Sequence, residues 1–214
     1  MALVLNGSAN TIGGIAVGGL PDGIVDTDML ATNAVATAKI ADNAVTSAKA
    51  TGLSPWTRNG AFSPVSEQSS EVVDRTIPAD CVEFSLIFDS ISSAGNEDLC
   101  FQLGSAGGIV TSNYQSKTSY INNNSHPSSE NITDMIRFKS NPSTGGSVNG
   151  YIDFHLVNGN VWIWYGVAGC NAVSDRGMFI SGKVDVGATL TTLRCRFNGD
   201  SGFDAGTMRL STRT

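Results

Sequence analysis

The chain has 214 residues, room for one ordinary domain with an appendage or for two small domains. Its formal net charge is −6 with a sequence pI near 4.7, and Lys and Arg form no cluster, which argues against a nucleic-acid-binding surface. No apolar run approaches the roughly 18–20 residues that span a bilayer, so membrane insertion is not expected.

Charged residues make up only 15% of the chain, a composition that suits a surface partly covered by other subunits. Glycine is abundant, with many Ser, Thr and Asn, and this favours short strands and tight turns over helices. Cys81, Cys100, Cys170 and Cys195 show neither CxxC spacing nor a histidine at zinc-ligand spacing, so buried free thiols are expected. The opening MALVLNGSAN has neither the basic nor the long apolar region of a signal peptide, and synthesis in a cytosol is expected.

Residues 1–21 are apolar and Gly-rich, with no charged side chain. Ala2 to Leu5 could form a short strand ahead of the Asn6-Gly7 turn signal. Unstructured tails are usually polar and charged, so this segment is expected to dock on something.

Residues 22–51 divide into three tens: DGIVDTDMLA, TNAVATAKIA and DNAVTSAKAT. Valine recurs at the fourth place, and a Thr or Ser at the sixth. Modules this small cannot bury an apolar face alone, so the repeat predicts a thin multi-chain stalk. Val25, Val35 and Val45, with Leu30 and Ile40, are the expected contacts between the chains of the stalk. The ten-residue period fits neither a seven- nor an eleven-residue coiled coil, and short helical turns alternating with extended links are predicted instead. Gly52 to Pro55 closes the stalk.

Tandem NAVTxAKIA-type units after a Gly-rich start resemble the repeat segments of tailed-bacteriophage fibre and virion-appendage proteins. The resemblance implies a homotrimeric virion component, with residues 1–21 docked on the particle.

Aromatic residues begin at Trp56, which sets the expected boundary of a head domain over 56–214. Val82, Phe84, Leu86 and Phe88 alternate with Glu83, Ser85 and Asp89, with Ile87 the exception. Leu99, Phe101 and Leu103 alternate with Cys100 and Gln102, and Ile152, Phe154 and Leu156 with Asp153 and His155. Asn158-Gly159 supplies a hairpin turn into Val161 to Tyr165. Met178, Ile180 and Val184, then Leu193, Cys195 and Phe197, then Met208 to Leu210, continue the series. The pattern predicts an all-β, antiparallel β-sandwich of jelly-roll-like plan; the resemblance implies that the stalk carries it as a trimer.

Between Ser112 and Ser147 only Met135 to Phe138 reads as a strand. The rest is polar and turn-rich, the kind of loop that carries binding on a rigid sandwich. Tyr114, Tyr120, Asn123 and His126 are the receptor-contact candidates there.

The run from Leu103 to Tyr114 is similar to the LGxxGGIxTSGY stretch in C-terminal domains of phage tail-fibre-like proteins, with Asn113 where Gly is usual. The run from Phe203 to Leu210 is similar to the FDAGTxRL stretch of the same domains. Physically, Asn113 tolerates left-handed backbone, Gly206 suits a tight turn and Phe203 a core position. Neither stretch carries chemistry.

Among the acids Glu67, Glu71, Asp74, Glu97, Asp98, Asp153, Asp175, Asp200 and Asp204, no spacing specifies a glycosidase pair. Asp200 to Asp204 offers oxygen ligands for calcium but only weakly, and no cofactor or metal is expected. His155, opposite an apolar strand face, reads as a half-buried or interface histidine. Trp162, Trp164 and Tyr165 lie in a strand that is apolar on both faces, as a central strand covered on both sides would be, and are candidates for a head interface between subunits; stacking on carbohydrate is the weakest option.

These resemblances imply a non-enzymatic phage virion structural protein, a trimeric tail fibre for host attachment, assembled in the host cytoplasm. Its expected partners are itself, other virion proteins through residues 1–21, and a host surface glycan or protein. Capsid decoration is the alternative, and a polysaccharide-degrading tailspike the remote one.

Overall fold

The computed structural model describes residues 4–6, 11–13, 56–66, 71–122, 128–140, 146–171 and 176–214. Val25, Leu30, Val35, Ile40 and Val45 lie outside the described residues, as do Asn123 and His126. The chain divides into two compact units, Met1–Leu53 and Ser54–Thr214. In the first, β1 (Val4–Asn6) pairs antiparallel with β2 (Thr11–Gly13).

The second unit is all-β, with no α-helix among the described residues. In chain order its strands are β3 (Thr57–Arg58), β4 (Val72–Thr76), β5 (Glu83–Ser93), β6 (Leu99–Ser105) and β7 (Gly108–Ile109). Then come β8 (Gln115–Asn122), β9 (Ser128–Ile132), β10 (Ile136–Arg137), β11 (Val148–Asn158) and β12 (Val161–Cys170). β13 (Arg176–Asp185), β14 (Leu190–Phe197) and β15 (Phe203–Arg213) complete the unit. One antiparallel sheet has the order β10-β6-β14-β4, with β7 also paired to β6. The other has the order β3-β15-β5-β11-β12-β13-β8-β9.

The two sheets share one core. Phe88 on β5 meets Phe101 on β6 at 6.0 Å between ring centres and Phe138 at 5.4 Å. Within the large sheet, Phe84 stacks on Phe154 at 4.2 Å, and Trp164 lies between Phe154 and Tyr114. Gly182 faces Trp164 across the β12–β13 pair, where a Cβ atom would stand 2.6 Å from the indole. A side chain there would displace the ring, so this glycine makes the room that the large residue fills.

Period-two alternation places Phe84, Leu86 and Phe88, Ile152 and Phe154, and Met178, Ile180 and Val184 in the core as the pattern predicts. β6 departs from it. Cys100 and Gln102, which alternation alone would put on a wet face, are buried as well, Cys100 as expected of a free thiol. Cys100 packs with Ile132 and Met135, and the Gln102 amide donates to the Asp134 carbonyl at 3.2 Å. The chain after β9 covers the outside of β6.

A second correction concerns 112–147. The stretch holds the β8–β9 hairpin as well as β10, paired from Ser116↔Ile132 to Tyr120↔Ser128. Its polar composition hid the strands, because Ser116 and Thr118 are the core-facing residues of β8.

All four cysteines are buried, with Cys81, Cys100 and Cys195 as free thiols. Burial raises the Cys81, Cys100 and Cys195 thiols above their ordinary range.

Candidate functional site

The outer face of the large sheet carries the site. Antiparallel register puts Arg58 opposite Ser211, Ser211 opposite Ser85, Ser85 opposite Asp153, and Asp153 opposite Tyr165. These five residues, from strands far apart in sequence, form one row across β3, β15, β5, β11 and β12. The neighbouring row contributes His155, and Trp56 leads into β3 from the edge. Together they line an open cleft of about 490 Å³.

The cleft is aromatic at two points. Trp56 is 48% exposed and Tyr165 49% exposed. The Tyr165 ring is stacked on His155 at 5.4 Å between centres, with an interplanar angle of 12°. His155 Nδ1 lies 3.4 Å from the Glu83 carboxylate, which also pairs with Arg213. The Asp153 carboxylate pushes the Tyr165 hydroxyl above its ordinary value, helped by burial and by a hydrogen bond to the same carboxylate. Aromatic planes, two serine hydroxyls, a carboxylate and a guanidinium thus converge on one small volume.

A second feature lies one row over. Ile87, Tyr151, Val167 and Phe179 stand opposite one another in turn on β5, β11, β12 and β13. Ile87 is 50% exposed and Phe179 56% exposed, and Ile121 on β8 extends the patch. At the usual strand separation, the row from Ile87 to Phe179 runs about 14 Å.

Several expected site residues lie elsewhere. Trp162 and Trp164 are core residues of their own chain, so the subunit contact expected of them is corrected; their strand turns Ile163 and Tyr165 outward instead. Tyr114, expected in a receptor loop, is also buried. Its hydroxyl accepts the Leu103 N–H at 2.8 Å, while the Val110 N–H donates to the Leu103 carbonyl. The stretch from Leu103 to Tyr114 therefore runs from the end of β6 through β7 and is tied back to Leu103, and Asn113 takes left-handed backbone at φ 63° within it. Tyr120 is half-buried, with the Arg176 guanidinium 5.1 Å from its ring centre.

The FDAGTMRL run lies in β15, where Phe203 is buried against Phe197. Gly206 sits in an irregular stretch of the β15–β5 ladder rather than in a tight turn, at φ +103°, where a Cβ would meet the Ser90 carbonyl at 2.6 Å.

The remaining acids have structural partners or none of catalytic form. Asp74 accepts two bonds from the Arg194 guanidinium at 2.8 and 2.7 Å, tying β4 to β14. Asp98 is buried and pairs with Lys139, Glu97 accepts the Ser201 N–H, and Asp204 accepts the Ser92 hydroxyl. Glu67 and Asp175 lie outside the described residues. Among the described residues, no group of three His, Cys, Asp or Glu side chains is placed to hold a metal ion.

Sequence reasoning missed Trp56, Arg58, Ser85 and Ser211 as site residues. The wet faces of β5 and β11 were legible, but only pairing brings them beside β3 and β15. Compared with family models, curated proteins and solved structures, the chain matches none.

Proposed function

We propose that this chain is a bacteriophage virion structural protein: a homotrimeric tail fibre, held on the virion by its N-terminal segment, whose head mediates host attachment without catalysis. The repeat at 22–51 and the two head stretches that resemble tail-fibre-like proteins support the class. The observation that carries the reading is the apolar row Ile87, Tyr151, Val167 and Phe179, exposed at every place but the half-buried Val167. Contiguous exposed apolar surface of this kind marks a contact with another protein. The occupant is a second copy of the chain, since the repeat calls for several chains side by side.

The head follows a jelly-roll plan in this reading. Support comes from the small sheet's order β4-β14-β6-β10, faced by β5 and by β8-β9, with the meander β11-β12-β13 filling the place of one strand.

Light scattering on the purified protein should give three times the chain mass, and excess trimer should slow phage adsorption to host cells. A monomer would remove the stalk and the interface together. A trimer that ignores cells, with particles lacking it adsorbing normally but losing DNA on heating, would assign it to capsid decoration instead.

A further inference from the structure

We propose that the cleft between Trp56, Arg58, Asp153 and Tyr165 is a subsite for a neutral saccharide, an inference that rests on the attachment reading and names the chemistry recognised. Its volume, about 490 Å³, falls within the roughly 300–1,000 Å³ typical of small-ligand clefts. Two half-exposed aromatic side chains, Trp56 and Tyr165, stand at its wall, and Tyr165 is held by its stack on His155. A pyranose ring presents apolar C–H faces to such planes and a rim of hydroxyls to polar neighbours. Here the rim meets Asp153 as acceptor, Arg58 as donor, and the Ser85 and Ser211 hydroxyls as both.

Charge selects against ions. Arg58 and Asp153 lie in the same row, and Glu83 beside them is engaged by Arg213 and His155. Of the groups that line the cleft, Arg58 and Asp153 carry opposite charges, so an ion of either sign meets one like charge there. A neutral polyhydroxylated ligand meets no such opposition. The aromatic anchors come from rigid, low-entropy side chains, and the hydroxyl contacts supply orientation.

The test uses the full chain and a panel of glucose, galactose, mannose, N-acetylglucosamine and rhamnose, with sialic acid as the anionic control. Ligand-observed saturation-transfer NMR and tryptophan fluorescence should show saturable binding of at least one neutral sugar with a Kd of about 1 mM. Trp56→Ala and Tyr165→Ala should each weaken it about tenfold or more. Asp153→Asn, which keeps the shape of the cleft, should weaken it by less. Trp56 lies outside the strands, so its variant carries the test even if Tyr165→Ala fails to fold.

No binding across the neutral panel, preference for sialic acid, or binding that survives Trp56→Ala would each overturn the proposal. A trimer that binds sugar without slowing adsorption would keep the cleft and remove attachment. A trimer that slows adsorption while binding no sugar would do the reverse.

Discussion

The outer faces of the two sheets start from similar chemistry and end differently. On the small sheet, β6 turns Cys100 and Gln102 outward, and the chain covers them itself with Ile132, Met135 and the Asp134 carbonyl. On the large sheet, Ile87, Tyr151 and Phe179 remain bare. Apolar surface is buried wherever the chain can reach it. One face is thus completed within the chain, while the other keeps its apolar side chains exposed. The two faces of β12 repeat the contrast at the scale of one strand, with Trp162 and Trp164 inside and Ile163 and Tyr165 outside.

Inner and outer residues of the large sheet should therefore separate when mutated. The largest effect is expected inside: Trp164→Ala should cost about 3–5 kcal/mol by chemical denaturation, because its cavity is walled by Tyr114 and Phe154. A cost near zero would place the ring outside the core.

Tyr114 gives an intermediate effect with a pH signature. Burial pushes its hydroxyl from the ordinary 10.0 up to about 12, despite the opposing Leu103 N–H. A raised pKa means the neutral phenol's contribution is complete below pH 10 and is lost as pH rises through about 12. The gap corresponds to about 2–3 kcal/mol at most. Tyr114→Phe should cost about 1–3 kcal/mol at neutral pH by stranding the Leu103 N–H, and should flatten the alkaline fall in stability. Denaturation curves between pH 8 and 12 check both parts, over a window that spans the shift.

The smallest effect on chain stability is expected outside. Phe179→Ser and Ile87→Ser should change it by no more than about 0.5 kcal/mol, yet shift the sedimentation of the assembly toward single chains. Core-like losses of stability in a separated chain would erase the contrast between the faces.

Much of the sandwich was legible because alternation reports burial directly: Phe84, Leu86, Phe88, Ile152 and Phe154 all fall where their period puts them. Alternation fails where the chain covers its own strand twice, as at Cys100 and Gln102, and where small polar residues face inward, as Ser116 and Thr118 do. Asn113 was readable from its tolerance of left-handed backbone, and Phe203 from its bulk. The cleft was not readable. Its row joins Arg58 to Ser211 through a pairing between the first and last strands of the unit, and no local pattern encodes that register.

That same pairing governs how the head comes into being. β3 has its ladder partner in β15, β5 takes one of its two neighbours from β15, and β4 pairs with β14. While the chain is being synthesised, these early strands have nothing to close against, and the β5 edge beside Phe84, Leu86 and Phe88 stands open. Contacts so distant in sequence form slowly, and an open edge invites pairing with other chains. Closure of the large sheet thus waits until residues 203–213 have left the ribosome, and until then β5 is the segment a chaperone would hold.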